Sequence, residues 1–458
     1  MDSLAEAVRA GATAAELLGE PVPTDYLAAY IRRQDQDMFA GVSDRDLRKS
    51  LHVGLIPMPE LAPDEVLVAV MASSINYNTI WSATFEPVST FKSLSRLKQF
   101  GRYDARHDLD YQVIGSDCAG VIVRVGAGVR RCTVGDYVLV GPVQVDDQEP
   151  MTHADGMLGK GQRVWGYETN FGGLATYTIV RASQIILKPA HLTWEEAASL
   201  SLCASTAYRM LVSARGAQIK QGDIVLIWGA TGGLGAFAVQ LVKNGGGIAV
   251  GVVGSDSKAE LANALGCDLV IDRRQLGVYD DHTSISDRSN AVGKALSRII
   301  RSKFGEDPHV VFDYVGRETF GASLFVVRRG GVVVTCGSAT GFDHYYDNRY
   351  LWMNLKRIIG SHAANLQEQY ECIRLFDLGH LVPVLSEVFP LSAVADAARL
   401  VQLNEHVGKV GVLGLAPSAG LGVTDPAKRA AIGETRLNIF RSEDSRNHSL
   451  APGAYFQE

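Results

Sequence analysis

The sequence has only six cysteines among its 458 residues, and no two of them are close together. The nearest pair, Cys118 and Cys132, is fourteen positions apart, which excludes the C-x-x-C motifs of zinc and redox sites. A net charge of −6, without a basic block longer than pairs such as Arg273-Arg274, argues against nucleic acid and anionic membranes as partners. The N-terminal residues lack the continuous apolar core of a signal peptide, so we expect a cytoplasmic protein with reduced cysteines.

The most informative motif that is present lies at residues 225–242, VLIWGATGGLGAFAVQLV. An apolar segment typical of a buried strand leads into a glycine-rich turn and then into an apolar helix. In such a turn the first glycine permits the tight bend, the second lets the main chain approach a dinucleotide's phosphates, and the third allows close packing of helix and strand. The N–H groups and dipole at the helix start favour negative charge. We predict that the pyrophosphate is bound by Gly229, Gly232, Gly233, Leu234 and Gly235.

The end of the next predicted strand, at Val253-Gly254-Ser255, indicates which dinucleotide binds. An acidic residue at that position would bind the ribose 2′-hydroxyl of NADH and repel a 2′-phosphate, but Asp256 comes one residue too late. Ser255 can donate a hydrogen bond to a phosphate and Lys258 can neutralise it, with Arg273 or Arg274 after the next strand as further candidates. A solvated lysine is the alternative interpretation of Lys258, although a cation at the positive end of a helix is unfavourable unless an anion lies nearby. We therefore predict NADPH rather than NADH.

Changes of pattern along the chain predict an α/β protein in five segments. Short strands with turn signals follow Leu51, and strands alternate with helices beyond residue 205, which is typical of a doubly wound parallel sheet. The segments are a helical N-terminal extension at 1–45, a β-rich catalytic domain at 46–205, a parallel-sheet cofactor domain at 206–359, a C-terminal return to the catalytic domain at 360–441, and a disordered tail at 442–458. After His362 the pattern of the return predicts a helix, a connection and a second helix.

The order of a β-rich domain before a cofactor domain resembles medium-chain dehydrogenase/reductases, which combine a GroES-like catalytic domain with a Rossmann domain. Their zinc-dependent members have Gly-His-Glu where this chain has Gly115-Ser116-Asp117, and a four-cysteine lobe that it lacks, so no metal is predicted. Longer segments are similar to the crotonyl-CoA carboxylase/reductase family over nearly the whole chain. They include SSINYNTIWSATFEPVSTF at 73–91, RVWGYETNFGGLA at 163–175 and YDNRYLWMNLKRIIGSHAAN at 346–365.

The resemblance implies an NADPH-dependent reductive carboxylation. Hydride reaches Cβ of a trans-2-enoyl-CoA, and Cα of the resulting enolate attacks CO2 to give an alkylmalonyl-CoA, a unit for polyketide assembly. The family holds CO2 with an Asn, a Phe-Glu pair and a His, which correspond to Asn78, Tyr167-Glu168 and His362. Asn78 and His362 would donate hydrogen bonds to the CO2 oxygens, and Glu168 would orient the His. A homotetramer, or dimer of dimers, with paired cofactor-domain edges is also implied.

Tyr167 departs from the family, which has Phe at this position. Its hydroxyl would either hold water near the enolate, favouring protonation, or point away without effect. Taken singly, Asn78 is also typical of a turn, Glu168 of a surface carboxylate and His362 of a structural histidine. A plain NADPH-dependent 2-enoyl-CoA reductase that yields the saturated acyl-CoA is therefore the alternative, and a non-catalytic NADPH-binding protein related to quinone reductases is the second.

Binding of CoA requires cations and an apolar or aromatic surface. Arg349 and Tyr350 match family positions associated with CoA, whereas Lys356 and Arg357 are equally consistent with a solvated helix face.

The acyl-chain prediction depends on the residue after His362. Crotonyl-preferring members have Phe there, and this chain has Ala363. The missing ring leaves room for several methylenes, each contributing about 0.8 kcal/mol when buried. We predict a branched substrate or one of about six to ten carbons, with Phe342 and Tyr345 as bulky neighbours able to fill the space instead.

Overall fold

The computed structural model describes residues 2–276 and 284–441, so the tail predicted at 442–458 lies outside the described residues. The chain divides into two compact units. The first unit combines Met1–Leu202 with Asn365–Glu458, and the second unit is Cys203–Ala364. Within the described ranges, no helix is long and apolar enough to cross a membrane.

Short elements make up the chain as far as Leu211. The strands are β1 (Asp25–Arg32), β2 (His52–Pro57), β3 (Glu65–Ser74), β4 (Tyr111–Val113), β5 (Ala119–Val125), β6 (Tyr137–Val140), β7 (Val143–Gln144), β8 (Arg163–Val164), β9 (Tyr177–Arg181) and β10 (Ile185–Leu187). The helices are α1 (Ser3–Arg9), α2 (Ala14–Gly19), α3 (Tyr77–Thr84), α4 (Phe91–Leu97), α5 (Arg102–Ala105), α6 (Trp194–Ala198) and α7 (Ser201–Leu211). Single 3-10 turns occur at Arg33–Asp35, Leu47–Lys49, Pro150–His153, Gly156–Leu158 and Ala182–Gln184.

Strands and helices alternate in the second unit. The strands are β11 (Ile224–Trp228), β12 (Ile248–Val253), β13 (Leu269–Asp272), β14 (Val310–Asp313), β15 (Val332–Thr335) and β16 (Arg357–Gly360). The helices are α8 (Gly233–Asn244), α9 (Asp256–Ala264), α10 (Ile285–Phe304), α11 (Phe320–Val326) and α12 (Asn348–Met353), with a 3-10 turn at Arg273–Leu276.

The chain then returns to the first unit. The elements are α13 (Leu366–Asp377), β17 (Leu385–Pro390), a 3-10 turn at Leu391–Ala393, α14 (Val394–Gln402), β18 (Lys409–Leu413), α15 (Pro426–Ile432) and α16 (Glu434–Leu437).

The second unit is a six-stranded parallel sheet in the order β13-β12-β11-β14-β15-β16. This is the 3-2-1-4-5-6 order of a Rossmann fold, in which the first strand lies at the reversal of strand order. Its core includes Leu226, Val250 and Val311 from neighbouring strands, together with Leu296 from α10. Ligands of such sheets bind beyond the carboxyl ends of the strands, at the reversal of strand order. A ligand is therefore expected at the turn after β11.

The first unit is built around a seven-stranded sheet in the order β10-β6-β5-β3-β18-β17, with β9 also paired to β3. Strand β3 is buried along its whole length, and β18 comes from the far end of the chain to lie beside it. A three-stranded sheet, β2-β1-β4, and the β7-β8 pair complete the unit. The ends of β3, β4 and β8 lead into the segments that carry Asn78, Ser116 and Tyr167, respectively.

Two parts of the first unit differ from the sequence-based prediction. Residues 1–45 are helical only at their start, because β1 pairs with β2 and β4 and so belongs to a sheet. The return after residue 360 contains β17 and β18 in addition to helices. Tertiary pairing overrides local propensity in both places, since β1 and β18 find their partners in distant segments.

Candidate active site

The glycine-rich turn at 229–235 has the geometry predicted for a phosphate-binding loop. Gly229 adopts a left-handed φ of +61°, and a Cβ atom there would lie 2.6 Å from the Tyr314 hydroxyl oxygen. A Cβ atom on Gly235 would overlap the Gly229 carbonyl oxygen, so only glycine allows α8 to pack this closely. Helix α8 begins at Gly233 with Gly232 as its N-cap, which leaves main-chain N–H groups at the turn for an anion.

A buried hydrogen-bond network that the sequence did not reveal surrounds this loop. The Tyr314 hydroxyl donates to the Gly229 carbonyl at 2.9 Å. On the other side of the turn, Trp228 Nε1 donates to Ser323 Oγ at 2.8 Å, and that hydroxyl donates to Asp313 Oδ2 at 2.6 Å. Burial raises the pKa of Asp313, which the Ser323 hydrogen bond opposes. The first glycine and the tryptophan before it are thus both held by buried side-chain hydrogen bonds.

The residues predicted to select NADPH lie together at the carboxyl end of β12. Ser255 caps α9 by accepting from the Lys258 backbone N–H at 3.3 Å. The Arg273 guanidinium lies close over Gly254, since a Cβ atom there would be 3.1 Å from Arg273 Nε. Burial, and then the charge of Arg273, lower the pKa of the Lys258 ammonium. Two cations thus lie close together beside Ser255, where an anion would relieve their repulsion.

The acidic residue that follows Ser255 is already paired. Arg274 contacts Asp256 Oδ1 at 2.6 Å and bonds Asp272 Oδ2 through Nε at 2.8 Å. The side-chain hydrogen bond from Arg274 is the main cause of the lowered pKa of Asp272. Asp256 is therefore directed toward Arg274, as expected of a residue one position beyond the site that binds a ribose hydroxyl.

Asn78 lies in the first turn of α3, directly after the buried strand β3. Its Nδ2 donates to Ser116 Oγ at 2.8 Å, and the Ser116 hydroxyl in turn donates to the Trp165 carbonyl at 2.6 Å. The Asn78 Oδ1 atom is buried and has no hydrogen-bond partner among the described residues. One amide N–H and Oδ1 therefore have no protein partner among the described residues.

Tyr167 and Glu168 lie in a tight turn that packs on the Gly115-Ser116 segment. Gly166 has a left-handed φ of +68°, and Gly115 N donates to its carbonyl at 3.2 Å. Gln112 Nε2 donates to the Tyr167 carbonyl at 2.7 Å. The turn is thus held through its backbone, which leaves the Tyr167 ring to form a wall.

The Tyr167 ring faces Trp81, with 6.4 Å between ring centroids and a tilt of 48°. Burial, and then the Glu168 charge, raise the pKa of Tyr167 to about 12, so the hydroxyl stays neutral at physiological pH. The Glu168 carboxylate accepts from Val164 N at 2.9 Å and so closes its own turn. That it also orients His362 stays a prediction, because His362 belongs to the second unit.

His362 and Ala363 follow strand β16 in the second unit. Ser361 N donates to the Thr335 carbonyl at 2.8 Å, which extends the pairing of β16 with β15. His362 is exposed, and Ala363 is buried with a left-handed φ of +43°, a conformation uncommon for residues other than glycine. The backbone at the predicted chain-length position is thus held in an unusual conformation.

The residues predicted for CoA lie on the first turn of α12. Arg349 is exposed and forms a bidentate pair with Asp347, with contacts of 3.0 and 2.6 Å. Tyr350 packs edge-on against Phe325, with 4.9 Å between ring centroids. Phe342 and Tyr345, the bulky neighbours considered above, are about half exposed at 51% and 54%. Their roles toward a ligand stay predictions.

A buried ion pair lies where zinc-dependent relatives have a metal-site turn. Asp117 Oδ2 is 3.1 Å from Lys409 Nζ, and the two side chains are 0% and 2% exposed. Across the described ranges, no group of three or more His, Cys, Asp or Glu side chains is arranged to hold a metal ion. Asp117 is thus compensated by a lysine from β18, a strand that the sequence did not reveal.

Comparisons with known proteins agree with this architecture. The model of the alcohol dehydrogenase GroES-like domain matches residues 62–190, and that of the zinc-binding dehydrogenase matches residues 233–378. A crotonyl-CoA reductase from Streptomyces collinus is 50% identical, over 94% of this chain and 97% of the relative. A crotonyl-CoA carboxylase/reductase from Cereibacter sphaeroides is 37% identical over 87% and 90% of the two chains.

Among solved structures, the 2-octenoyl-CoA carboxylase reductase CinF in complex with NADP and 2-octenoyl-CoA is 61% identical. It has a TM-score of 0.94 and covers 96% of this chain and 99% of its own. These likenesses confirm the GroES-like and Rossmann fold predicted from sequence. The chain is therefore an oxidoreductase that belongs to the crotonyl-CoA carboxylase/reductase family of medium-chain dehydrogenase/reductases.

Proposed function

We propose that this enzyme catalyses the NADPH-dependent reductive carboxylation of a trans-2-enoyl-CoA. The cofactor supplies a hydride to Cβ of the substrate, the electron pair of the C=C bond moves to Cα, and Cα forms a bond to the carbon of CO2. The product is an alkylmalonyl-CoA, with NADP⁺ as the oxidised partner. The observation that carries the proposal is the Asn78 amide, which Ser116 holds through one N–H while the second N–H has no partner among the described residues.

Two groups of residues divide the work in this proposal. The loop at 229–235 binds the pyrophosphate, and Ser255, Lys258 and Arg273 bind the 2′-phosphate. The Asn78 N–H donates to a CO2 oxygen, and His362 donates to the other as the new carboxylate develops charge. Placing CO2 beside the enolate converts carboxylation into an intramolecular step that competes with protonation.

The proposed substrate is an enoyl-CoA longer than crotonyl-CoA, of about six to ten carbons or branched. Support comes from Ala363, which is smaller than the Phe of crotonyl-preferring members, and from the similarity to an enzyme named for 2-octenoyl-CoA. Arg349 and Tyr350 are the proposed contacts to CoA. The product fits the role of an unusual extender unit in polyketide assembly.

We also propose a cytoplasmic homotetramer, or dimer of dimers. Support for self-association comes from the edge strand β16, which is largely exposed, and from the exposed apolar side chains Trp352, Met353 and Leu355 near it. Unpaired strand edges with apolar side chains are ready to pair with another chain. All six cysteines are free, which fits a reducing compartment. Light scattering of the purified protein measures the number of subunits.

The alternative function is a plain 2-enoyl-CoA reductase, and the Tyr167 hydroxyl supports it. No hydrogen bond of the Tyr167 hydroxyl is found among the described residues, so this hydroxyl is able to hold a water molecule near the enolate. Protonation of Cα instead of carboxylation would give the saturated acyl-CoA.

The test is the mass of the product formed from NADPH and trans-2-octenoyl-CoA, with and without bicarbonate. We expect a mass increase of one CO2 that depends on bicarbonate, and faster turnover than with crotonyl-CoA. Octanoyl-CoA as the sole product would establish the reductase instead. Absence of NADPH oxidation with every enoyl-CoA would favour the non-catalytic protein, and a strict preference for crotonyl-CoA would overturn the chain-length proposal.

A further inference from the structure

The Ser116 hydroxyl joins the separate segments that carry the CO2-binding candidates of the first unit. It accepts from Asn78 Nδ2 at 2.8 Å and donates to the Trp165 carbonyl at 2.6 Å, two residues before Tyr167. Ser116 is itself fully buried, so no solvent competes for these two bonds. One side chain thus connects the start of α3 to the turn that bears Tyr167 and Glu168.

The direction of these two bonds determines how the Asn78 amide is oriented. A carbonyl oxygen only accepts, so the Ser116 hydrogen must point at Trp165, and only oxygen lone pairs face Asn78. The Asn78 Nδ2 group fits this arrangement, whereas a flipped amide would place Oδ1 against a second acceptor. Ser116 therefore excludes the flipped orientation of the Asn78 amide, in which Oδ1 and Nδ2 would exchange places and the second N–H would have a different direction.

The buried ion pair of Asp117 and Lys409 holds the two segments that the Asn78–Ser116 bond connects. Asp117, next to Ser116 in sequence, accepts from Asn76 Nδ2 at 2.8 Å and from Ser74 Oγ at 2.6 Å. Lys409 Nζ donates to the Asn76 side-chain oxygen at 2.5 Å and to the Ile75 carbonyl at 2.7 Å. The backbone on either side of the Asn78–Ser116 bond is thus fixed by groups that are themselves satisfied.

We propose that Ser116 is a positioning residue for carboxylation: it fixes the Asn78 amide with an N–H toward CO2, and it plays no part in hydride transfer. The inference rests on the proposed function. It gives a positioning role to Ser116, which occupies the place of a histidine in zinc-dependent relatives. Its consequence is a change in product partition, because a misdirected amide leaves the enolate to react with a proton.

The experiment measures the ratio of carboxylated to protonated product from trans-2-octenoyl-CoA over a range of bicarbonate concentrations. Ser116→Ala should lower that ratio about five- to tenfold at limiting bicarbonate, as expected for the loss of one hydrogen bond, while NADPH oxidation stays near the wild-type rate. Raising bicarbonate should restore much of the ratio, since the defect lies in holding CO2. Ser82→Ala is the matched control, because Ser82 Oγ is equally buried on α3 but has no partner among the described residues.

A double-mutant cycle separates positioning from general damage. In an Asn78→Ala background, Ser116→Ala should cause no further loss of the ratio, because the amide that it orients is absent. Additive losses, or an unchanged ratio in Ser116→Ala, would overturn the inference. If Ser116→Ala does not fold, the isosteric Ser116→Cys, a weaker donor, provides the same measurement. A wild-type enzyme that makes no carboxylated product would instead refute the proposed function.

Discussion

In the second unit the loop at 229–235, the proposed pyrophosphate site, presents main-chain N–H groups, whereas in the first unit Asn78, the proposed CO2 contact, presents a side-chain amide. The loop is continuous in sequence, and its shape depends on glycines that tolerate no Cβ atom. The Asn78 amide depends instead on Ser116, Asp117 and Lys409, which come from distant segments. A backbone site thus depends on local geometry, and a side-chain site depends on the tertiary structure that assembles it.

The largest expected effect comes from adding a single Cβ atom to the glycine-rich loop at 229–235. Gly235→Ala forces a Cβ atom onto the Gly229 carbonyl, so the loop must move, and we expect NADPH affinity to fall about a hundredfold by fluorescence titration. Gly245→Ala, at the other end of α8, is the matched control because its Cβ would meet nothing closer than 3.4 Å at a φ of −82°. Equal effects of the two substitutions would contradict the local account of the loop.

The side-chain site should respond instead to loss of the buried ion pair. Lys409→Met leaves the Asp117 carboxylate buried without its cation, which should cost about 3–5 kcal/mol in the free energy of unfolding measured with urea. Lys428→Met removes the partly exposed pair with Asp377 and should cost less than about 1 kcal/mol. A small loss in Lys409→Met would show that the polar groups around Asp117 suffice without the lysine.

Acid should weaken the first unit through its buried histidines. Burial, and then nearby cations, lower the pKa of His191 to about 4 and of His107 to about 3. The unfolded chain binds these protons below its pKa of about 6.5, so stability is full above that pH and declines toward pH 4 by about 1.4 kcal/mol per pH unit per histidine. His191→Leu should reduce this slope in urea unfolding, whereas the exposed His380→Gln should not. Identical slopes in all three proteins would disprove the assignment.

A smaller effect is expected where the cofactor's 2′-phosphate is proposed to bind. Lys258→Ala removes one of the two adjacent cations, and we expect the KM for NADPH to rise about tenfold with the KM for NADH unchanged. Lys243→Ala is the control, because Lys243 pairs with Asp268 at 2.8 Å in the same unit. A parallel change in both KM values would place Lys258 outside the phosphate site.

The smallest effect should come from Tyr167→Phe. Removing the hydroxyl removes a place for water near the enolate, so the carboxylated fraction of product should rise by up to about threefold. Tyr26→Phe deletes a buried hydroxyl that has no partner among the described residues, and it should leave the fraction unchanged. A fall in the carboxylated fraction of Tyr167→Phe would show that the hydroxyl assists CO2 binding.

The same contrast explains how much could be predicted from sequence. The loop at 229–235 and the cations Lys258 and Arg273 follow from local spacing; the structure shows the tight glycine turn and Arg273 beside Gly254, and the roles of these residues toward NADPH stay predictions. Asn78, Tyr167 and Glu168 required a resemblance to a family, because each is ordinary by itself. Ser116, Tyr314 and Lys409 were missed as supporting residues, since their contacts join segments separated by tens to hundreds of residues. Among these three residues, Ser116 alone gave a signal in the sequence, because it occupies the position in Gly115-Ser116-Asp117 where zinc-dependent relatives have a metal-binding histidine.

The ion pair between Arg274 and Asp256 has a consequence for how cofactor preference can change in evolution and engineering. An acidic side chain already stands one residue beyond Ser255, but it is directed toward a guanidinium. Substituting Arg274 would release that carboxylate beside the position where NADH-dependent enzymes bind the ribose. A route toward the other coenzyme therefore begins with the removal of an existing restraint, before any new binding residue is introduced.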